Sequence, residues 1–241
     1  MNATLLIARR ELSSYLRSWT GYIVIALALF IDGILFNAMA LGGPDKRSSD
    51  VISQFFNLSS GLVMIAAVAI AMRLLAEERQ TGTINLLYSS PVHDGAIVLG
   101  KYLASITFLA ILLGTTVFMP LLVMVHGKIS PGHIASGYLG LLLLGSAALS
   151  IGLFGSSLSR SQIVAAVSSS VMLVALLLCF NLSRVTERPF SELFASLALW
   201  NQHFPPFMSG VVHLRDVVYY GAVTYVFLFA ATRVLEARRW R

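Results

Sequence analysis

Few residues in this 241-residue chain have types and spacing that could do chemistry, and their pattern argues against catalysis. Five histidines (His93, His126, His133, His203 and His213) lie in or beside stretches that read as loops. His126 and His133 bracket one short turn and could share a metal, but no carboxylate or thiol lies near them to complete a ligand set. Ser168, Ser169 and Ser170 offer hydroxyls within an apolar stretch, yet no such stretch holds a histidine near its midpoint to act as a base. Gly43-Pro44-Asp45-Lys46 lacks the spacing of a phosphate-binding loop, and neither H-E-x-x-H nor G-x-S-x-G occurs. Cys179 is the only cysteine, so no intrachain disulfide can form, and its apolar surroundings suit packing. Asp32 is the one carboxylate well inside a long apolar run, with Asn37 five residues on. A charge at such depth is costly, so Asp32 is expected to face a bundle, a cavity or a partner. Proton coupling, substrate contact and a neutral, hydrogen-bonded acid near the outer interface are all open readings of it.

The elements that must position these residues are apolar helices. The chain is 57% hydrophobic and 12% charged, with a mean hydropathy of +0.80. A soluble domain carries about a quarter charged residues, so the apolar excess has to face lipid. A span needs roughly 20 apolar residues to cross a hydrocarbon core about 30 Å thick. Six stretches qualify: Tyr22–Ala40, Leu58–Leu75, Ile97–Val125, Ile134–Leu158, Ile163–Leu182 and Val217–Val234. They are apolar all round, as lipid-facing or fully buried helices are. The third and fourth are long enough to tilt, and Pro120 is expected to kink the third. Four-residue spacing of Ala148, Gly152 and Ser156, and of Ala166 and Ser170, predicts faces for close helix approach. The fold class is therefore all-α integral membrane, one domain over residues 1–241.

Charge placement orients the bundle. With both termini cytoplasmic, Arg9, Arg10, Arg17, Arg73, Arg79, Lys101, Arg160, Arg233 and the arginines of 238–241 fall inside. The smaller outer set is Lys46, Arg47, Lys128, Arg184, Arg188 and Arg215, as the positive-inside rule requires. The net charge of +6 then belongs to topology and anionic lipid, since nucleic-acid binding would call for a clustered footprint. Residues Asn2–Trp19 read as an amphipathic interfacial helix, with Leu5, Leu6, Leu12, Tyr15, Leu16 and Trp19 on the bilayer side. Ala38-Met39-Ala40 looks superficially like a signal-peptide cleavage site, but Glu11, Asp32 and the long preceding arm favour a retained first span.

The loop after the second span, Glu77–Pro91, is the most informative segment. Gly82-Thr83 offers a break and a helix cap, Ile84, Leu86 and Leu87 supply an apolar face, and Pro91 stops it. Apolar residues rimmed by charge mark a docking surface; a short helix lying along the membrane fits the same pattern.

The series Glu78-x-x-x-Gly82-Thr83-x-x-Leu86-Leu87-x-x-x-Pro91, followed by Gly100-Lys101, resembles the permease subunits of type-2 ATP-binding-cassette transporters. The resemblance covers essentially the whole chain. Arg10-Glu11-Leu12, Gly152-Leu153-Phe154 with Ser156-Ser157, and the Val234–Trp240 tail look like the branch that includes gliding-motility permeases. The resemblance implies an exporter-type permease in a bacterial inner membrane, with an interfacial helix at 1–20, a coupling helix within 77–96 and short re-entrant helices within 184–216. It implies that Glu77, Glu78, Arg79, Gly82, Thr83, Ile84, Leu86, Leu87 and Pro91 receive movement from a separate ATPase subunit, which alone binds ATP and Mg. A second permease subunit, identical or homologous, completes the pathway. Trp200, His203, Phe204 and Phe207 are expected at an outer gate or in an interfacial aromatic belt, with Asp32 and Asn37 as further pathway candidates. An ion-coupled secondary transporter using Asp32, and a force-transmitting scaffold of a motility complex, are the alternatives.

Overall fold

The computed structural model describes residues 3–40, 47–84, 92–127 and 129–239. Helix α1 (Ala3–Arg17) ends where Ser18 turns extended, at φ −89° and ψ 140°. Ser18 Oγ then accepts from Gly21 N at 3.2 Å and caps α2 (Trp19–Leu35). The chain doubles back so closely that a Cβ on Gly21 would collide with the Tyr15 carbonyl. A single π-helical turn (Phe36–Ala40) follows α2. Next come α3 (Ser48–Ala71) and the short α4 (Ala76–Gln80). After these run α5 (Asp94–Thr116), α6 (Phe118–His126), α7 (Pro131–Leu158) and α8 (Gln162–Val185). Two short helices, α9 (Phe190–Leu197) and α10 (Pro205–Met208), lead into α11 (Leu214–Arg239). The described residues contain no strand, and six helical segments are long and apolar enough to cross a membrane. The protein is an all-α integral membrane protein.

Several helices exceed their hydropathy limits. The second span starts at Ser48, ten residues before Leu58, because Asp50 favours the helix N-terminus and Val51, Ile52, Phe55 and Phe56 bury one face. Gln54 and Asn57, which break the apolar run in sequence, sit exposed on the other side. The third span divides at Val117 into α5 and α6. Pro120 has no N–H for the Thr116 carbonyl four residues back, so the break falls one turn before the proline.

The core is built around α7. In its most apolar stretch 78% of residues are buried, against 17% in α2 and in α8, so α7 is the inner helix and those two are peripheral. Lipid tails give helices no hydrophobic reason to associate, so close approach of small residues does the work. Phe56 lies over Gly137, Phe207 over Gly140 and Ala71 over Gly152, where any Cβ would clash. α8 meets α7 through Ala165 and Ser169, with Ser169 Oγ donating to Gly152 O at 3.2 Å. This shifts the expected face by one residue, since Ala166 is half-buried and Ser170 exposed. Three consecutive serines leave the rotation of α8 open in sequence, and the bond to Gly152 O selects the middle one, which is fully buried. On α1, Tyr15 turns into the bundle and Leu12 packs against the core, while Leu5, Leu6 and Leu16 remain exposed. The six expected residues therefore do not share one face: Tyr15 and Leu12 turn toward the bundle, while Leu5, Leu6 and Leu16 turn away from it.

Gly137→Val should lower detergent thermal stability by about 1–3 kcal/mol, the usual cost of overpacking. Gly61→Ala, with open space around it, should leave the melting transition unchanged or raise it. Equal melting of the Gly137→Val variant and the wild type would contradict the close α3–α7 contact.

Candidate functional site

Lys101 anchors a cluster of charged side chains in the bundle. It stands on α5, its side chain 1% exposed, and its Nζ lies 2.8 Å from Glu11 Oε1 and 2.9 Å from Glu78 Oε1. Arg10 Nη2 approaches Glu78 Oε1 at 3.8 Å from the exposed side. Gly100 allows the arrangement: a Cβ there would come within 2.9 Å of Ile7 and of Thr4 O, so α1 can ride against α5 only over a glycine. Segments distant in sequence, Arg10-Glu11-Leu12, Glu78 and Gly100-Lys101, thus meet at one end of the bundle. A buried ammonium holding two carboxylates is sustained by pairing, and removing one partner of such a set typically costs about 3–5 kcal/mol.

Residues on both sides of Glu78 have partners of their own. Arg73, near the end of the same span, binds Glu77 at 2.8 Å and reaches the Thr20 hydroxyl. Tyr15 OH donates to Ile70 O at 3.2 Å, its ring stacks on Phe108 at 5.1 Å, and burial pushes its phenol above the ordinary value. Where α3 turns into α4, the N–H groups of Leu75 and Ala76 donate to Ser156 Oγ at 3.1 and 2.9 Å. Arg79 Nη1 donates to Ser157 O and Ser159 O at the end of α7. Gly82 has φ +75°, the left-handed value that ends a helix without strain in glycine. Thr83 Oγ1 donates back to Glu78 O at 3.3 Å. Ile84 lies in this chain's own core at 9% exposure, and Leu86, Leu87 and Pro91 lie outside the described residues. A cavity of about 520 Å³, with Arg10, Glu11, Arg73 and Glu77 in its wall, opens between α1 and α4.

The other expected residues lie toward the opposite end. Asp32 is buried and accepts from Ser59 Oγ at 2.8 Å, beside a void of only about 10 Å³. Asn37 is exposed. Trp200 Nε1 donates to Ser60 Oγ at 2.9 Å. His203 and Asp216 form a buried pair, Nδ1 to Oδ1 2.7 Å, with the Tyr219 ring stacked 3.8 Å from the imidazole. Phe204 and Phe207 are fully buried, with Phe207 against α7 at Gly140. His133 Nε2 lies 2.6 Å from Met208 O, and among the described residues no three His, Cys, Asp or Glu side chains gather as a metal set. Ser156, Tyr15 and Asp216 escape sequence reasoning as functional residues. A serine near a helix end and a tyrosine on an amphipathic helix do not show what they bind until their partners are known.

Against known proteins, residues 5–186 match the family described as "ABC-2 family transporter protein". Over 119 residues the chain is 33% identical to "Probable ABC transporter permease protein NosY" of Stutzerimonas stutzeri. That alignment takes in 47% of this chain and 43% of the relative, so the chain spans less than half of the relative's length.

Lys101→Met should destabilise the protein by about 3–5 kcal/mol, because two half-buried carboxylates lose the buried ammonium that pairs them. The triple variant Glu11→Gln/Glu78→Gln/Lys101→Met should recover most of that loss. Thermal unfolding in detergent checks both, and a single variant as stable as wild type would contradict the cluster's role.

Proposed function

We propose that this chain, which belongs to the ABC-2 family of transporter proteins, is a permease subunit driven through the Lys101 cluster by a separate ATPase. The observation that carries this reading is the double ion pair of Lys101 with Glu11 and Glu78. It ties the segment after the second span to α1 and α5, so that a push on that segment is passed to the bundle. Glu77, Glu78, Arg79, Gly82 and Thr83 form its root. Leu86 and Leu87 are the apolar residues we assign to the docking contact, since Ile84 already packs inward. ATP and Mg belong to the ATPase, consistent with the missing phosphate loop in this sequence. A gate moves only if the ATP and product states of the motor bind the permease with different free energies. A second permease subunit, identical or homologous, completes the pathway. The end bearing Lys101 faces the cytoplasm with both termini, the membrane is the bacterial inner membrane, and the direction is export.

Co-purification tests the motor. An ATPase subunit should accompany the wild-type protein from its native membrane and be lost from a Leu86→Asp/Leu87→Asp variant. Absence of an ATPase from both preparations would overturn the reading. Orientation has its own test in a Cys179→Ser background. A membrane-impermeant maleimide should label Arg188→Cys in intact spheroplasts and Arg160→Cys only after permeabilisation.

A further inference from the structure

We infer that Arg79 and Ser156 are positioning residues that attach the coupling segment to α7, by a route separate from the one Glu78 makes to α1 and α5. The inference rests on the permease reading above. Glu78 and Arg79 are neighbours on α4, yet they engage different parts of the bundle. Glu78 Oε1 meets Lys101 of α5, which also holds Glu11 of α1. Arg79 Nη1 donates to two carbonyls, Ser157 O and Ser159 O, the latter at 3.1 Å. The last carbonyls of a helix have no intrahelical partner and carry the negative end of its dipole, so a fixed fork of guanidinium donors suits them.

Ser156 adds a second hold one residue earlier. Its Oγ accepts from both Leu75 N and Ala76 N, the backbone groups that lead into α4, and donates to Met72 O at 3.3 Å. The same helix end collects the last span, because Arg238 Nη2 of α11 donates to Leu158 O at 2.8 Å. A displacement of α4 therefore divides. One part goes through carboxylates and an ammonium to α1 and α5. The other goes through hydrogen bonds to the central helix α7 and, at its end, to α11. One turn earlier on α7, Gly152 against Ala71 keeps α3 and α7 in direct contact, so this second route has little slack.

The test uses the purified permease–ATPase complex in a Cys179→Ser background, with spin labels at exposed sites. One pair, Leu5→Cys with Ile34→Cys of α2, reports on α1; the other, Ile163→Cys with Ile34→Cys, reports beside the α7 end. Distances are measured without nucleotide and with ATP and vanadate. Both pairs should shift on nucleotide binding in the otherwise wild-type complex. Arg79→Met should abolish the shift at Ile163 and keep it at Leu5, and Glu78→Gln should do the reverse. Should Arg79→Met fail to yield a complex, Ser156→Ala removes one hydroxyl and should reduce the shift at Ile163 alone. An intact complex in which both pairs shift as in wild type, fail together, or never shift at all overturns the inference. A preparation with no ATPase overturns the permease reading as well, and is a distinct result.

Discussion

An ammonium group that is 1% exposed at the edge of an apolar bundle needs partners, because desolvating an unpaired charge costs several kcal/mol, a large share of a protein's net stability. Lys101 meets that constraint by drawing in Glu11 from α1 and Glu78 from α4. Much of the geometry at this end follows. α1 has to lie against α5, which requires Gly100 beneath Ile7. The α3–α4 turn has to bring Glu78 over Lys101, which places Arg79 at the end of α7. Tyr15, on the inward face of α1, then finds Ile70 O and Phe108.

The rest of the bundle depends on a different economy of contact. In lipid, helices gain from van der Waals fit and interhelical hydrogen bonds more than from hiding apolar surface. α7 supplies the fit through glycines placed under Phe56, Phe207 and Ala71. The peripheral helices α2 and α8 leave long rows of Ile, Leu, Val and Phe exposed, as surfaces bathed in lipid do. Hydrogen bonds then pin individual helices at chosen depths. Asp32 ties α2 to α3 through Ser59, and the adjacent Ser60 ties α3 to Trp200.

At the opposite end, the stretch between α8 and α11 folds back into the bundle, with Ala198, Leu199, Phe204 and Phe207 fully buried. The His203–Asp216 pair fastens it to α11, and Tyr220 OH donates to Leu199 O at 3.0 Å. This end is held by aromatic packing and neutral hydrogen bonds around one His–Asp pair. The Lys101 end is held by charges. That asymmetry suits a protein whose two ends face different surroundings.

The amino-acid sequence by itself determined the class of protein, because hydropathy and charge are additive along a chain and need no partners to be read. Six apolar stretches and a break caused by Pro120 follow from composition and covalent chemistry. So does the position of the polar segment 77–91 between two spans. Tertiary structure decided everything that depends on which residue meets which. Glu11 and Lys101 are 90 positions apart, and Ser156 and Ala76 are 80 apart, so no local pattern marks them as partners. Helix rotation was equally hidden: Ser168, Ser169 and Ser170 are chemically alike, and only the bond to Gly152 O selects Ser169. The same reason separates Tyr15 from Leu16 on α1. Amphipathic spacing shows that a face exists, while the neighbour that covers it is fixed by packing from the other end of the chain.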